Sequence, residues 1–230
     1  MRFGEILTIS GFLVGGLVFF LESRRRNLDT EGMRIVAIAG LISGVVGAKI
    51  FQWLFSTGMP VSALINLQNG GKSLIGGLVC GWIGIEITKR WLRIRRSISD
   101  ILALALPAGE AVGRLGCYFN GCCTGTPFDG AWSVFQDGHN RHPTQIYSAV
   151  GAACIYGILR LLRDKMPCEG DLFKIYLLLF GASRFGMEFF RQRDVTLWHM
   201  SIVQLICFQV AVFVAINIVF SYRRMRLQTS

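Results

Sequence analysis

Charge is what this chain has least of. Of its 230 residues, 17% are Asp, Glu, Lys or Arg, where a soluble domain carries about 25%, so a conventional water-facing surface is excluded. The cysteines number seven and include no CxxC pair. An odd count, placed mostly in apolar segments, excludes a disulfide framework. No internal repeat or low-complexity tract is present, which removes solenoids and linker-rich chains. The marks of a signal peptide are also missing from the first apolar segment. Glu5 stands where a basic start belongs, and Arg24, Arg25 and Arg26 follow in place of a small-residue cleavage site, so the segment is expected to be a retained helix.

What is there is hydrophobic. Apolar residues make up 52% and the mean hydropathy is +0.48. Seven apolar segments run Ile6–Leu21, Met33–Phe55, Ser73–Thr88, Ile98–Val112, Pro143–Leu162, Leu172–Phe190 and Ile202–Phe220. The second, fifth, sixth and seventh reach the ~20 residues of a bilayer-spanning helix. The third is short and glycine-rich, and Pro107, Gly109 and Glu110 interrupt the fourth. Lys and Arg are dense in alternate connections: Arg24–Arg26 with Arg34, then Lys89–Arg96, then Arg160–Lys165, then Arg223–Arg226. By the positive-inside bias this pattern predicts about seven transmembrane helices, N-terminus outside and C-terminus cytoplasmic. The fold class expected is all-α, a polytopic membrane protein forming a single domain over residues 1–230. The net charge of +10 is then topogenic and faces anionic lipid; no nucleic acid partner is needed to explain it.

Polar residues without a topogenic role gather on the outer side. Arg114 and Asn120 follow segment four, Arg141, His142 and Gln145 open segment five, and Arg184, Glu188, Arg191 and Gln192 close segment six. Charges at membrane depth face the protein interior or a wet cavity. Arg184, Glu188 and Arg191 have i, i+4, i+7 spacing, so a continuous helix would put them on one face. They read either as a structural ion pair between helices or as an arginine oriented by Glu188 for an anion, whose oxygens suit the planar guanidinium fork. Gly113 and Gly116 flank Arg114 and allow close backbone approach; its alternative is snorkelling to the interface. His142, before Pro143, can cap helix five or hold an aqueous pocket open.

Four passages, in order along residues 70–191, resemble the prolipoprotein diacylglyceryl transferase family. They are Gly113-Arg114-Leu115-Gly116 with Asn120, Gly121 and Gly125; Arg141-His142-Pro143-Thr144-Gln145-Ile146-Tyr147; Gly181 through Arg191 with its Arg184-Phe185 and Glu188-Phe189-Phe190-Arg191; and Gly70-Gly71-Lys72-Ser73-Leu74-Ile75-Gly76-Gly77-Leu78. The resemblance implies a transferase that moves the diacylglyceryl group of phosphatidylglycerol, an anionic phospholipid, to the lipobox cysteine thiol of an exported prolipoprotein. It implies the bacterial cytoplasmic (inner) membrane, a multi-pass chain and an outward active face. Arg114 and Arg184 would hold the phosphate and offset charge on the leaving group, with Glu188 orienting Arg184. Asn120, Gly121, Gly125, His142 and Arg191 would shape the substrate site. No cofactor and no resident metal enters this reaction.

The sequence departs from the family pattern at chosen places. Ile75 occupies the position of the histidine that is the family's candidate base, and isoleucine carries no proton to exchange. Cys117 replaces the signature's first asparagine, Cys122 its glutamate and Ser148 an acidic residue, and only Phe3 lies near the place of an early tyrosine. Glu110 is then a candidate base. Alternatives from other classes are a non-catalytic lipid- or lipoprotein-binding membrane protein, and a thiol enzyme using Cys122 or Cys123. Cys117, Cys122 and Cys123 themselves read as loop packing, as a thiol site at an electropositive edge, or, with His139 and His142, as soft-metal ligands.

Overall fold

The computed structural model describes residues 3–28, 31–55, 74–94, 98–136, 138–191 and 200–229. Among them are seven α-helices: α1 (Phe3–Arg25), α2 (Glu31–Phe55), α3 (Leu74–Trp91), α4 (Ser99–Phe119), α5 (Thr144–Leu162), α6 (Asp171–Met187) and α7 (Ile202–Thr229). A 3-10 turn, Glu188–Phe190, follows α6, and a hairpin of β1 (Val134–Gln136) and β2 (His139–Arg141) lies between α4 and α5. The hairpin is antiparallel with Phe135 opposite Asn140, and nothing in the hydropathy pattern announces it. Four helices are long and apolar enough to cross a membrane: α1, α2 over Glu31–Phe51, α5, and α7 over Ile202–Val219. The other three carry internal charges, such as Glu110 and Arg114 in α4 and Lys174 and Arg184 in α6. Gly70–Ser73 and Gln192 lie outside the described residues, and Ile75 is described only as part of the α3 backbone.

Two boundaries differ from the sequence expectation. Pro107 does not interrupt the fourth segment: α4 runs unbroken through it to Phe119, so Gly113–Gly116 is helix and not loop. The sixth segment does break. After Met187 the chain tightens into the 3-10 turn, and Arg191 is extended at φ −104° and ψ 148°. Arg184 and Glu188 therefore keep their i, i+4 relation, and Arg191 leaves the common face.

The chain groups into two compact units, residues 23–96 and residues 1–22 with 97–230. In the first, α2 packs on α3 along glycine stripes: a Cβ added at Gly44 would lie 3.2 Å from the Gly77 carbonyl oxygen. Small residues spaced by four let the backbones approach. In the second, α4, α5 and α6 share an apolar core of Ala103, Leu104, Ile155, Leu159, Leu172 and Tyr176. Helix α1 crosses α4 where Gly11 meets Gly109 and Gly113, with no room for a side chain.

Two polar ties lock this core at one end. Glu22, buried at the end of α1, is ion-paired with Arg163 beyond α5, so Arg163 has a structural partner besides any topogenic role. Asp100 in the first turn of α4 is buried and accepts the amides of Gly170 (3.0 Å) and Phe173 (3.2 Å) at the start of α6. A carboxylate at a helix N-terminus satisfies orphan donors and complements the helix dipole. Asp100→Ala should cost about 1–3 kcal/mol by leaving these amides without their acceptor, read as a lower melting temperature in detergent; Asp100→Asn, which retains one acceptor oxygen, should lose less.

Candidate functional site

The three helices that form the apolar core diverge in character as they leave it. Arg114 lies about 15 Å along α4 from Leu104, at 1.5 Å per residue. At this level the helices line a cleft of about 280 Å³, including its open mouth. Its walls are Glu110 and Arg114 from α4, Ser148, Ala152 and Ile155 from α5, and Phe180, Ser183, Arg184 and Met187 from α6. The small side chains Ser148, Ala152 and Ser183 leave the space.

Two arginine–carboxylate pairs furnish the cleft. The Arg114 guanidinium donates to Glu110 Oε1 from both Nη2 (2.9 Å) and Nε (3.1 Å). One turn of α4 supplies both partners, and the signal was legible as i, i+4 spacing. On α6, Arg184 Nη1 lies 2.9 Å from Glu188 Oε2. That contact is a charge contact without the alignment of a hydrogen bond, since Oε2 has no hydrogen-bond partner. The aligned bond to Glu188 comes from Ser201 Oγ, which donates to Oε1 at 3.1 Å.

Ser201 is fixed in turn by Gln204, whose Oε1 accepts the Ser201 amide at 3.0 Å and whose own amide donates to Ser201 Oγ at 3.2 Å. Gln204 Nε2 also donates to the Phe185 carbonyl at 3.4 Å. Neither Ser201 nor Gln204 was expected at the site. They stand before and within α7, distant in sequence from Glu188, so no local spacing marks them. Glu110 was expected only as a base; here its carboxylate is engaged by Arg114.

The segment after α4 is stitched to the starts and ends of its neighbours. Gly125 N donates to His142 O (3.2 Å), Thr126 N to Phe190 O (2.9 Å) and His142 N to Thr126 O (3.1 Å). Arg141 Nη1 donates to Gly125 O at 3.1 Å, and Arg191 forms an isolated antiparallel bridge with Gly125. Gly125 sits at the crossing: a Cβ there would lie 2.6 Å from the His142 carbonyl oxygen and 2.8 Å from that of Phe190. This close approach is why no other residue fits. Thr144 Oγ1 donates to Cys123 O at 2.7 Å and Gln145 Nε2 to Cys122 O at 2.8 Å, so the first turn of α5 holds the cysteine backbone.

The remaining expected site residues fall in different places. His142 stacks on Phe128, with ring centroids 3.9 Å apart, and has Phe190 edge-on at 5.2 Å. Its Nδ1 is 3.2 Å from the Tyr147 hydroxyl, so it forms part of an aromatic cage. Asn120 ends α4 with its amide on Gly116 O at 3.0 Å, and its side chain lies against Gly4 of α1. Gly121 turns the chain at φ +65°. Ser148, like Arg114 and Arg184, lines the cleft, with its hydroxyl bonded back to Thr144 O at 2.8 Å. The structure thus joins Arg114 and Arg184 around one cleft, with Glu188 buried and paired with Arg184, and gathers Gly125, His142 and Arg191 into the stitched loop.

The thiols of Cys117, Cys122 and Cys123 lie within 4.8 Å of one another, and all three are free. Hydrogen bonds from the Cys117 and Cys122 thiols, and then the Arg191 and Arg114 guanidiniums, pull the Cys123 thiol below its usual range. Hydrogen bonds with the Cys117 and Cys123 thiols push Cys122 up.

These features define a class: an α-helical membrane protein with two carboxylate-paired arginines lining one cleft. The chain belongs to the prolipoprotein diacylglyceryl transferase family, whose model matches residues 3–220. It is 27% identical to a phosphatidylglycerol–prolipoprotein diacylglyceryl transferase of Clostridioides difficile, over 87% of this chain and 83% of that one. It is 30% identical to the enzyme of the same name from Polynucleobacter asymbioticus, over 84% and 78%. The corresponding figures for Finegoldia magna are 25%, 94% and 88%.

The lowered Cys123 thiol has a measurable signature. Between pH 6.5 and 8.5 an ordinary thiol of pKa about 8.5 gains roughly 50-fold in thiolate, and its alkylation rate follows. In reduced protein Cys123 should gain less than about threefold over the same interval, because a thiol of depressed pKa is already ionised at the lower pH. Timed iodoacetamide labelling with peptide mass spectrometry would check this, with a free cysteine peptide as the reference.

Proposed function

We propose that this protein transfers the diacylglyceryl group of phosphatidylglycerol to the lipobox cysteine thiol of an exported prolipoprotein. The observation that carries the reading is the pair of arginines, Arg114 and Arg184, lining one cleft. Each arginine is oriented by a carboxylate on its own helix or turn. The names of the relatives supply the substrates. In this reading the chain spans a bacterial cytoplasmic membrane about seven times, N-terminus outside, with the cleft opening on the outer side.

The chemistry balances as follows. The acceptor sulfur forms a bond to the glycerol C3 carbon of the lipid, and that carbon's bond to the phosphate oxygen breaks. The electron pair leaves on the phosphate, so glycerol phosphate departs as a monoester with one more negative charge than the diester. Arg114 and Arg184 face that growing charge. Such donors accelerate because they stabilise the transition state more than the ground state. Glu110 and Glu188 fix the two guanidiniums in advance, so little reorganisation is needed when the charge appears.

The thiol proton also needs a destination. With Ile75 in place of the family's histidine, the leaving phosphate monoester can accept the proton itself, since its second ionisation lies near pH 6. Glu110 and Glu188 then serve as positioning residues. Asn120, Gly121, Gly125, His142 and Arg191 shape the loop that closes the site.

In membranes or detergent, Arg114→Ala and Arg184→Ala should each lower transfer to a lipobox peptide by about 10²–10³-fold. Arg184→Lys should remain well below the parent because a point charge does not reproduce the fork. Transfer, glycerol phosphate release and phosphatidylglycerol binding would be measured together on variants of unchanged melting temperature. Binding without transfer by the parent protein would favour the non-catalytic lipid-binding alternative. Full activity of Arg114→Ala and Arg184→Ala would remove the arginine mechanism.

A further inference from the structure

Cys117, Cys122 and Cys123 are not used by the proposed transfer, and their arrangement exceeds what loop packing requires. We infer that these three thiols form a binding site for a soft metal ion such as Zn²⁺, Cd²⁺ or Cu⁺.

The sulfurs lie within 4.8 Å of one another. Around a metal with M–S bonds of about 2.3 Å, three thiolates stand about 3.8–4.0 Å apart. Side-chain adjustments of about an ångström therefore complete the site without moving the backbone. The backbone is already shaped for it. Cys122 N donates back to Cys117 O at 3.1 Å, which folds the turn onto the end of α4. Gly121 and Cys123 both hold positive φ, +65° and +63°, and such a conformation is uncommon for a residue with a side chain. Thr144 and Gln145 pin the carbonyls of Cys123 and Cys122, so two of the three ligands come from a fixed chain.

Access and charge agree with this assignment. Cys123 is exposed while Cys117 and Cys122 are half-buried, so the site has an entry path. Metal binding needs the ligands as thiolates, so it displaces whatever protons the thiols still hold. Three thiolates around a divalent ion leave one negative charge. Thiolates select soft ions over Mg²⁺ and Ca²⁺. Among the described residues the cluster comprises the cysteines alone. His142 is engaged by Tyr147 and Phe128, and His139 is exposed on β2. A fourth coordination position stays open to water or an added thiol.

The inference does not rest on the transferase reading, and its test reads metal uptake and not transfer. The full chain in detergent is reduced, stripped with a chelator without oxygen and titrated with Co²⁺, then with Zn²⁺. The expected result is about one Co²⁺ bound per chain with a sulfur-to-cobalt charge-transfer band, which Zn²⁺ abolishes. Cys117→Ser, Cys122→Ser and Cys123→Ser should each lose the band, and a variant with Cys80, Cys154, Cys168 and Cys207 all changed to serine should keep it.

Protection mapping on the parent protein covers the case in which a serine variant fails to fold. Zn²⁺ should slow maleimide labelling of Cys117, Cys122 and Cys123 and leave the other four cysteines unchanged. Retention of the band in the triple serine variant, or equal labelling of the three cysteines with and without Zn²⁺, would overturn the site.

Discussion

An arginine inside an apolar helix bundle must be paired, and that constraint organises the larger unit of this protein. Bringing a guanidinium out of water costs several kcal/mol unless a carboxylate and further hydrogen bonds meet it. Arg114 has Glu110 on the same helix, and Arg184 has Glu188 just past the end of its own helix. The second pair then recruits Ser201 and Gln204, which ties the start of α7 to the end of α6. The apolar core of α4, α5 and α6 holds the two pairs on facing walls, and small residues between them keep the cleft open.

The loop after α4 follows a different rule, hydrogen-bond satisfaction in a crowded place. Gly125, Thr126, Arg141, His142 and Phe190 exchange backbone and guanidinium bonds across three chain segments. The aromatic cage around His142 uses the ring as a packing element with one polar contact. This rigid loop carries Cys122 and Cys123 in a left-handed turn beside Cys117. The family pattern places asparagine and glutamate where Cys117 and Cys122 stand, so the departure from the family and the unusual thiol cluster are the same feature.

Much of the helical framework was legible. Hydropathy located the seven helices of the described residues, since each contains a run of apolar residues long enough to dominate its composition. The i, i+4 spacing exposed the Arg184–Glu188 pair, and motif order identified the family. Other features were hidden for physical reasons. Pro107 and the glycines after it read as a break, yet α4 continues through them, and Gly109 packs directly on Gly11 of α1. Arg191 read as part of the α6 face, yet the 3-10 turn carries it into a bridge with Gly125. The hairpin is too short to leave a period in the sequence. The partners Ser201 and Gln204 lie too far along the chain for local spacing to find them.

The sequence by itself determined an α-helical membrane protein of the diacylglyceryl transferase family, because composition, helix-length apolar runs and local motifs are properties of contiguous residues. Only the tertiary structure decided which polar groups meet. It placed Ser201 on Glu188, separated Arg191 from the α6 face and brought Cys117 within reach of Cys122 and Cys123. Those outcomes depend on where helices end and which walls face each other, and side-chain packing and hydrogen-bond satisfaction across distant segments govern both.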